Sequence, residues 1–186
     1  MGRLIYVTNM SLDGFIEDER GSFDFGPPGA DVFASTVELL RGVGTFLYGR
    51  RLYEVMSVWE TDATLAAQSE PFAAFAAAWS AAEKVVYSTT LTTVATGATR
   101  LERRFDPDAV RELKARATRG LVVGGADLAA QALGAGVVDE CLLYVWPAFV
   151  GGGKPALPLG LRRDLELVEV DRFANGVVRV RYRVPA

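Results

Sequence analysis

The fold is decided by the stretch Leu121-Val122-Val123-Gly124-Gly125-Ala126-Asp127-Leu128. Its first residues predict a central strand that enters two glycines, and residues 126–133 then continue as a helix. Glycine removes the side chain that would obstruct a phosphate, and a helix start offers free N–H groups and a positive dipole end. The alternative is a purely structural role, in which the two glycines are needed only for the backbone conformation of a tight strand-to-helix turn. Two glycines are also less specific than a full dinucleotide fingerprint.

Two further strand ends have similar chemistry. The predicted strand Thr45–Tyr48 runs into Gly49-Arg50-Arg51 and a helix over 50–56. Arginines in the first turn of a helix are unfavourable, because the helix dipole is positive there. They indicate either an anionic ligand or side chains that are simply solvated. The strand Val85–Ser88 leads into Ser88-Thr89-Thr90, whose hydroxyls suit a phosphate or an ordinary turn. Ligands of α/β sheets bind outside the carboxyl ends of the strands, so the three ends support one another.

The other predicted elements complete one α/β domain over residues 1–186. A strand over 3–8 precedes a loop over 9–30, which is long enough to suggest function and holds a small strand at Phe15-Ile16. The remaining helices are predicted over 31–41, 69–82 and 106–117, and the remaining strands over 99–101, 138–146, 165–173 and 177–184. Asn175-Gly176 predicts a type I′ hairpin turn. The predicted sheet is mixed, mainly parallel, and ends in an antiparallel hairpin.

The last predicted strand alternates between charged and apolar residues. Arg179, Arg181 and Arg183 face one way, and valines and Tyr182 face the other. This pattern predicts a half-buried antiparallel edge strand with a solvated basic face. A ligand-facing arginine stripe is the alternative.

The composition excludes several classes of function. The chain has 186 residues, of which 50% are hydrophobic, and a formal net charge of −3, which argues against a nucleic-acid partner. It has no histidine and one cysteine, so a histidine-based triad is excluded and a structural zinc site is not expected. Cys141 alone cannot form an internal disulfide, which fits a reducing cytoplasm. No signal peptide and no apolar tract of membrane-spanning length is evident.

Together the motifs resemble the dihydrofolate reductase fold, and more closely the reductase domain of the bacterial bifunctional deaminase–reductase of riboflavin biosynthesis. The resemblance covers nearly the whole chain and rests on Ser11–Ile16, Tyr48–Glu54, Ser88–Leu91, Val123–Gly125, Val138–Pro147 and the glycine-rich loop Gly151–Pro155. It implies a three-layer α/β/α fold and hydride transfer from NADPH to a small heterocyclic or sugar-derived substrate. It also implies a homodimer, for which the long apolar C-terminal strands are a second argument.

The resemblance also implies roles for individual residues. The implied cofactor site comprises Thr8, Gly14, Gly49, Arg50, Arg51, Leu52, Ser88, Thr89, Gly124, Gly125, Ala126, Asp127 and Leu128. Arg50 with Ser88-Thr89 would surround the 2′-phosphate, and the backbone of Arg51-Leu52 would donate N–H groups. Residues 124–128 would cradle the pyrophosphate, with an unusual peptide bond between the two glycines, a costly feature that marks function. Thr8 and Asp13-Gly14 would approach the nicotinamide.

On the substrate side the candidates have simpler alternatives. Asp31 or Asp13 would donate a proton if burial raised its pKa, but a helix N-cap and a turn explain them as well. The other substrate candidates are Trp59, Trp146, Gly152 and Lys154, for which core packing, a dimer contact or a flexible crossing would also account. No arginine matches the one that binds the folate tail, which argues against dihydrofolate. A non-catalytic NADPH-binding protein and a dimeric interaction protein remain as alternative functions.

Overall fold

The computed structural model describes residues 1–26 and 29–185. Its strands are β1 (Leu4–Ser11), β2 (Phe15–Glu17), β3 (Val43–Gly49), β4 (Glu83–Tyr87), β5 (Thr99–Glu102), β6 (Gly120–Gly124), β7 (Glu140–Trp146), β8 (Lys154–Pro155), β9 (Glu166–Arg172) and β10 (Val178–Arg183). Its helices are α1 (Ala30–Arg41), α2 (Arg50–Met56), α3 (Val58–Thr61), α4 (Ala63–Ala66), α5 (Glu70–Ala81), α6 (Pro107–Arg116) and α7 (Ala126–Gly134).

The main sheet has eight strands in the order β5-β4-β3-β6-β1-β7-β10-β9. The six strands from β5 to β7 are parallel, whereas β10 is antiparallel to both β7 and β9. The strands β2 and β8 form a separate antiparallel pair. The predicted mixed, mainly parallel sheet with an antiparallel C-terminal hairpin is therefore confirmed.

Helices cover both faces of the sheet. Successive residues of a strand point to opposite faces, so Leu47 packs in the cluster that contains Val110 of α6 and Leu128 of α7. Its neighbour Phe46 packs with Val37 of α1 and with α5 on the other face. Burial on both faces is why the parallel strands read as continuous apolar runs. The three-layer α/β/α architecture is confirmed.

The chain changes direction across the sheet between β3 and β6. From β3 it continues through α5 towards the β5 edge, whereas from β6 it continues through α7 to β7 on the opposite side. The two helices lie on opposite faces. In open α/β sheets such a switch opens a crevice at the carboxyl ends of the two strands. The fold therefore places the ends of β3 and β6, Gly49 and Gly124, at the expected position of a ligand site.

Helix boundaries agree well with their sequence signals. Asp106 accepts the N–H of Asp108 at the start of α6, with Pro107 as the first helical residue. The short helices α3 and α4, over residues 58–66, were not predicted, because four-residue helices carry too little periodicity. No helix in the described part of the chain combines the length and apolar character needed to cross a membrane.

The loop predicted over residues 9–30 is shorter than expected. The strand β1 continues to Ser11 because β7 pairs with it up to Ser11 and Trp146. The strand β2 is stabilised by β8, which lies more than a hundred residues further along the chain. Residues 27 and 28 of the predicted loop, and residue 186 of the predicted domain, lie outside the described residues.

The C-terminal hairpin corrects two predictions. β10 lies between β7 and β9, so the edge strand is β9. The arginines of β10 are ion-paired rather than simply solvated, with Arg179 bound to Asp171 at 2.6 Å and Arg181 to Glu140 at 2.7 Å. A type I′ turn is also wrong, since it requires positive φ at both central residues and only Gly176 has it, at 87°. The hairpin instead uses a longer loop.

Candidate functional site

Two glycine turns lie side by side at the carboxyl edge. Gly49 precedes α2 and Gly125 precedes α7, and neither helix start has a side-chain cap. A Cβ atom added to Gly125 would lie 3.9 Å from the backbone nitrogen of Gly49. The first N–H groups of a helix have no partner inside the helix, so both helices direct free donors into one crevice. This arrangement suits an anion.

Each glycine of the Gly124-Gly125 turn is required by the backbone. A Cβ atom on Gly124 would lie 2.5 Å from the Leu52 side chain and 3.1 Å from the Tyr48 ring. Gly125 has φ of 89°, a conformation that side chains rarely adopt. The described peptide bonds include no cis bond, so the predicted unusual bond between the glycines is wrong. The positive φ of Gly125 redirects the chain without it.

The two arginines of α2 both face carboxylates. Arg50 forms a salt bridge of 3.0 Å to Glu54 one turn later, and its side chain is 42% exposed. Arg51 lies 3.9 Å from Glu17 of β2. Exposed pairs of this kind contribute at most about 1 kcal/mol. An anion can therefore displace Glu54 from Arg50 at small cost.

The turn after β4 uses Ser88 for its own structure. The Ser88 hydroxyl oxygen accepts the N–H groups of Thr90 and Leu91 at 3.2 and 2.9 Å. Thr89 is exposed beside it. The Ser88 hydroxyl fits the turn explanation better than direct phosphate contact, whereas Thr89 is accessible.

Sequence reasoning missed Arg103. Its guanidinium donates to the carbonyl oxygens of Ser88 and Leu91 at 3.1 and 2.6 Å, and so holds the Ser88 turn in place. The signal was present, because Arg103 directly follows β5 and the β5 end lies beside the β4 end. Ligands of such sheets bind at the carboxyl ends of the strands, so the residue after β5 was a candidate as well.

The end of β1 lies next to the crevice. β1 pairs with β6 only up to Tyr6 and Val123, but it pairs with β7 up to Ser11. Thr8 lies in the segment that extends past β6 and is half-buried. Gly14 follows in a turn closed by its N–H bond to the Ser11 carbonyl. Both residues expected near the nicotinamide therefore lie at the carboxyl edge.

Asp13 anchors the glycine-rich loop. Its carboxylate accepts the N–H groups of Val150 at 3.2 Å and Gly151 at 2.8 Å. The Ser11 hydroxyl, followed by these N–H groups, lowers the pKa of Asp13. The condition for a proton donor was a raised pKa, and it is not met here.

Asp31 is neither a helix N-cap nor a buried acid. The N-cap of α1 is Gly29, and Asp31 is the second helical residue, exposed to solvent. Its carboxylate accepts the Ala174 N–H at 2.9 Å and its neighbour's N–H, that of Val32. These bonds, that of Ala174 first, lower the pKa of Asp31. The residue connects α1 to the C-terminal hairpin.

The glycine-rich loop is firmly held and is not a flexible crossing. Gly153 lies so close to the Glu17 carbonyl that a Cβ atom would collide with it. Lys154 pairs with Glu17 across β2 and β8, and its Nζ lies 2.6 Å from the Asp127 carboxylate. The Tyr6 hydroxyl donates to the Ala156 carbonyl at 2.6 Å, and burial raises the pKa of Tyr6. Gly152 lies in the same loop.

The two tryptophans have different surroundings. Trp59 packs against Phe33, Phe72 and Phe75 of α1 and α5, with ring centroids 6.2, 5.3 and 4.3 Å away. Trp146 is buried at the end of β7, and its indole nitrogen donates to Asn9 at 2.9 Å. Core packing thus accounts for most of the surroundings of both tryptophans. Of the two, only Trp59 is half-exposed.

Two concave surfaces lie away from the carboxyl edge. One of about 380 Å³ lies between α1 and β10, and one of about 520 Å³ lies at the amino ends of β3 and β4. Neither is lined by a residue of the predicted cofactor or substrate site. The first is lined by Arg179 and Arg181 of the arginine stripe, and both arginines are ion-paired. The free N–H donors therefore favour the crevice at Gly49 and Gly125 as the ligand site, whereas cavity size alone would not select it.

The family follows from the comparisons with known proteins. Residues 3–179 match the model of the RibD C-terminal domain, and the chain belongs to this family of reductase-like domains. A relative in Bacillus subtilis (strain 168), the uncharacterised protein YyaP, is 26% identical over 97% of this chain and 94% of its own length.

Solved structures support the fold. A protein of Shewanella sp. PV-4, assigned provisionally to riboflavin biosynthesis, matches with a TM-score of 0.77 and 21% identity over 99% of both chains. RibD of Acinetobacter baumannii matches with a TM-score of 0.71 and 13% identity, over all of this chain and 58% of that one. The deaminase/5-amino-6-(5-phosphoribosylamino)uracil reductase of Thermotoga maritima matches with a TM-score of 0.65 and 14% identity, over 99% and 57%.

Proposed function

We propose that this protein is an NADPH-dependent reductase that transfers a hydride to a small heterocyclic or sugar-derived substrate. The observation that carries the proposal is the pair of adjacent, uncapped glycine turns at Gly49 and Gly125, with Arg50 beside them. Membership of a reductase-like family supports the reaction class. The lack of histidine is no obstacle, because NADPH supplies the hydride when bound.

The residues of the crevice fit the parts of NADPH. The free N–H groups at the start of α7, over residues 126–128, suit the pyrophosphate. Gly124 and Gly125 keep the approach to these donors free of side chains. Arg50 at the start of α2 suits the 2′-phosphate, with Thr89 as an accessible hydroxyl on the neighbouring strand end.

The proton for the reduced substrate is proposed to come from water. Asp13 and Asp31 both have lowered pKa values, so each is ionised at neutral pH and has no proton to donate. The role of this chain on the substrate side is then to orient the substrate and to limit access of solvent. Exposed apolar side chains on the loops at this edge, Leu12 and Phe149, are consistent with an organic substrate.

Oxidation of NADPH against a panel of acceptors tests the proposal. Pterins, ribosylaminopyrimidines and simple carbonyl compounds are offered to the purified protein, and at least one is expected to accelerate NADPH oxidation. Arg50→Ala should slow that reaction at limiting NADPH. Tight NADPH binding with no turnover of any acceptor would favour the non-catalytic alternative. No binding of either nicotinamide nucleotide would leave only the interaction protein.

A homodimer is part of the proposal. The edge strand β9 exposes apolar side chains on both of its faces, among them Leu167, Val168 and Val170. An unpaired edge of this character invites pairing with another chain. Sedimentation at micromolar concentration is expected to give twice the mass of the chain, and a monomer would contradict this point.

A further inference from the structure

The glycine-rich loop meets the proposed cofactor site through one ion pair, between Lys154 and Asp127. We propose that Lys154 is a positioning residue that neutralises Asp127 and so permits the start of α7 to bind the pyrophosphate of the cofactor. The inference rests on the proposed function. It replaces the expectation that Lys154 contacts the substrate.

Asp127 poses an electrostatic problem for an anion site. It is the second residue of α7, its carboxylate is 77% exposed, and no side chain caps this helix. A carboxylate at a helix start is attracted by the same dipole that attracts a phosphate. It also repels a pyrophosphate that approaches the neighbouring N–H groups. Asp127 therefore weakens the site unless another residue cancels its charge.

Lys154 is placed to cancel it. The Lys154 Nζ lies 2.6 Å from the Asp127 carboxylate, and the lysine side chain is only 25% exposed. The rest of the loop fixes this position, because Asp13 binds the backbone of residues 150–151 and β8 pairs with β2. Little conformational entropy is then lost when the cation faces the crevice.

The pair belongs to a row of alternating charges between the two helix starts. Arg51 of α2 lies 3.9 Å from Glu17. The backbone of Glu17 is the strand neighbour of Lys154, and Lys154 binds Asp127 of α7. Neutralising the lysine would leave the Asp127 carboxylate without its cation beside the cofactor site. Neutralising Asp127 would instead leave the lysine free to attract phosphate. The two changes therefore have opposite signs, which a purely structural salt bridge does not predict.

Calorimetric titration of NADPH into four variants tests the inference. Lys154→Gln should weaken NADPH binding about three- to tenfold, and Asp127→Asn should tighten it about two- to fivefold. The double variant should return close to the wild type, and Lys154→Arg should retain wild-type affinity. All differences in NADPH affinity between the variants should become smaller at high salt.

Adenosine 2′-monophosphate is the matched control ligand, because it has the 2′-phosphate without the pyrophosphate. Its affinity should be the same for all variants. Equal losses for both ligands, or weaker NADPH binding by Asp127→Asn, would overturn the inference. Asp127 is exposed enough that Asp127→Asn should fold, and thermal unfolding checks this. Failure of the wild type to bind any dinucleotide is a different outcome, which refutes the proposed function before any variant is compared.

Discussion

The two halves of the carboxyl edge are built in different ways. The crevice between β3 and β6 consists of backbone at the ends of buried strands, where Gly49 and Gly125 face each other. The region beside β1 and β7 consists of loops joined by distant contacts, such as that between Asp13 and Gly151. The first half is determined by two turns at the ends of paired strands, and the second by contacts of loop side chains with distant backbone groups. The proposed hydride donor would therefore bind at the ends of buried strands, whereas the acceptor would bind against loops.

The largest expected effect comes from adding a side chain to the crevice between β3 and β6. Gly124→Ala places a Cβ atom 2.5 Å from Leu52, and overpacking of this kind costs typically about 1–3 kcal/mol. The free energy of unfolding, measured in urea, should fall by this amount, and NADPH affinity should fall with it. In Gly134→Ala, at the end of α7, the added Cβ atom has no atom within 4 Å, so this change should be neutral or stabilising by up to about 1 kcal/mol. Equal effects of the two changes would contradict the account.

The next effect separates the two nicotinamide nucleotides. Arg50→Ala should weaken NADPH binding by about tenfold, or about 1.4 kcal/mol, because a charged contact to the 2′-phosphate is lost. NADH binding should not change. Arg41→Ala is the control, since Arg41 also forms an exposed helical salt bridge but lies at the end of α1. An equal loss for both nucleotides would remove Arg50 from the 2′-phosphate site.

A smaller and more local effect is expected in the loops beside β1 and β7. Asp13→Ala removes the acceptor for the N–H groups of Val150 and Gly151. Hydrogen exchange of these two amides should accelerate by about tenfold, whereas the amides of β6 should be unaffected. Unchanged exchange would show that the loop is held without Asp13.

The smallest effect concerns pH. The pKa of Asp31 is lowered below 3.8 by the Ala174 and Val32 N–H groups, so its stabilising contribution is present above that pH and is lost as pH falls through the lower value. The stability difference between wild type and Asp31→Asn should therefore be constant near neutrality and vanish in acid. The pH profile of NADPH oxidation should keep its shape in this variant. If the wild-type rate fell on the alkaline side and Asp31→Asn removed that fall, Asp31 would be restored as the proton donor.

Prediction from sequence succeeded where the signal was local. The strand, the two glycines and the helix at 121–133 are consecutive, so pattern and turn chemistry agree. The same was true of Asp106 and Pro107 at α6.

Prediction failed where distant residues decide. The extension of β1 to Ser11 depends on β7, and the lowered pKa of Asp31 depends on a backbone N–H in the C-terminal hairpin. The ion pair between Lys154 and Asp127, 27 residues earlier in the chain, was not predicted. No spacing rule connects these residues, because the tertiary fold alone brings them together.

Calorimetry of the wild-type protein with NADPH and with NADH tests the central claim most directly. The account predicts one NADPH bound per chain, with an affinity at least about tenfold higher than that for NADH, because only NADPH has the 2′-phosphate for Arg50. Heat changes that show no binding of either nucleotide would contradict it.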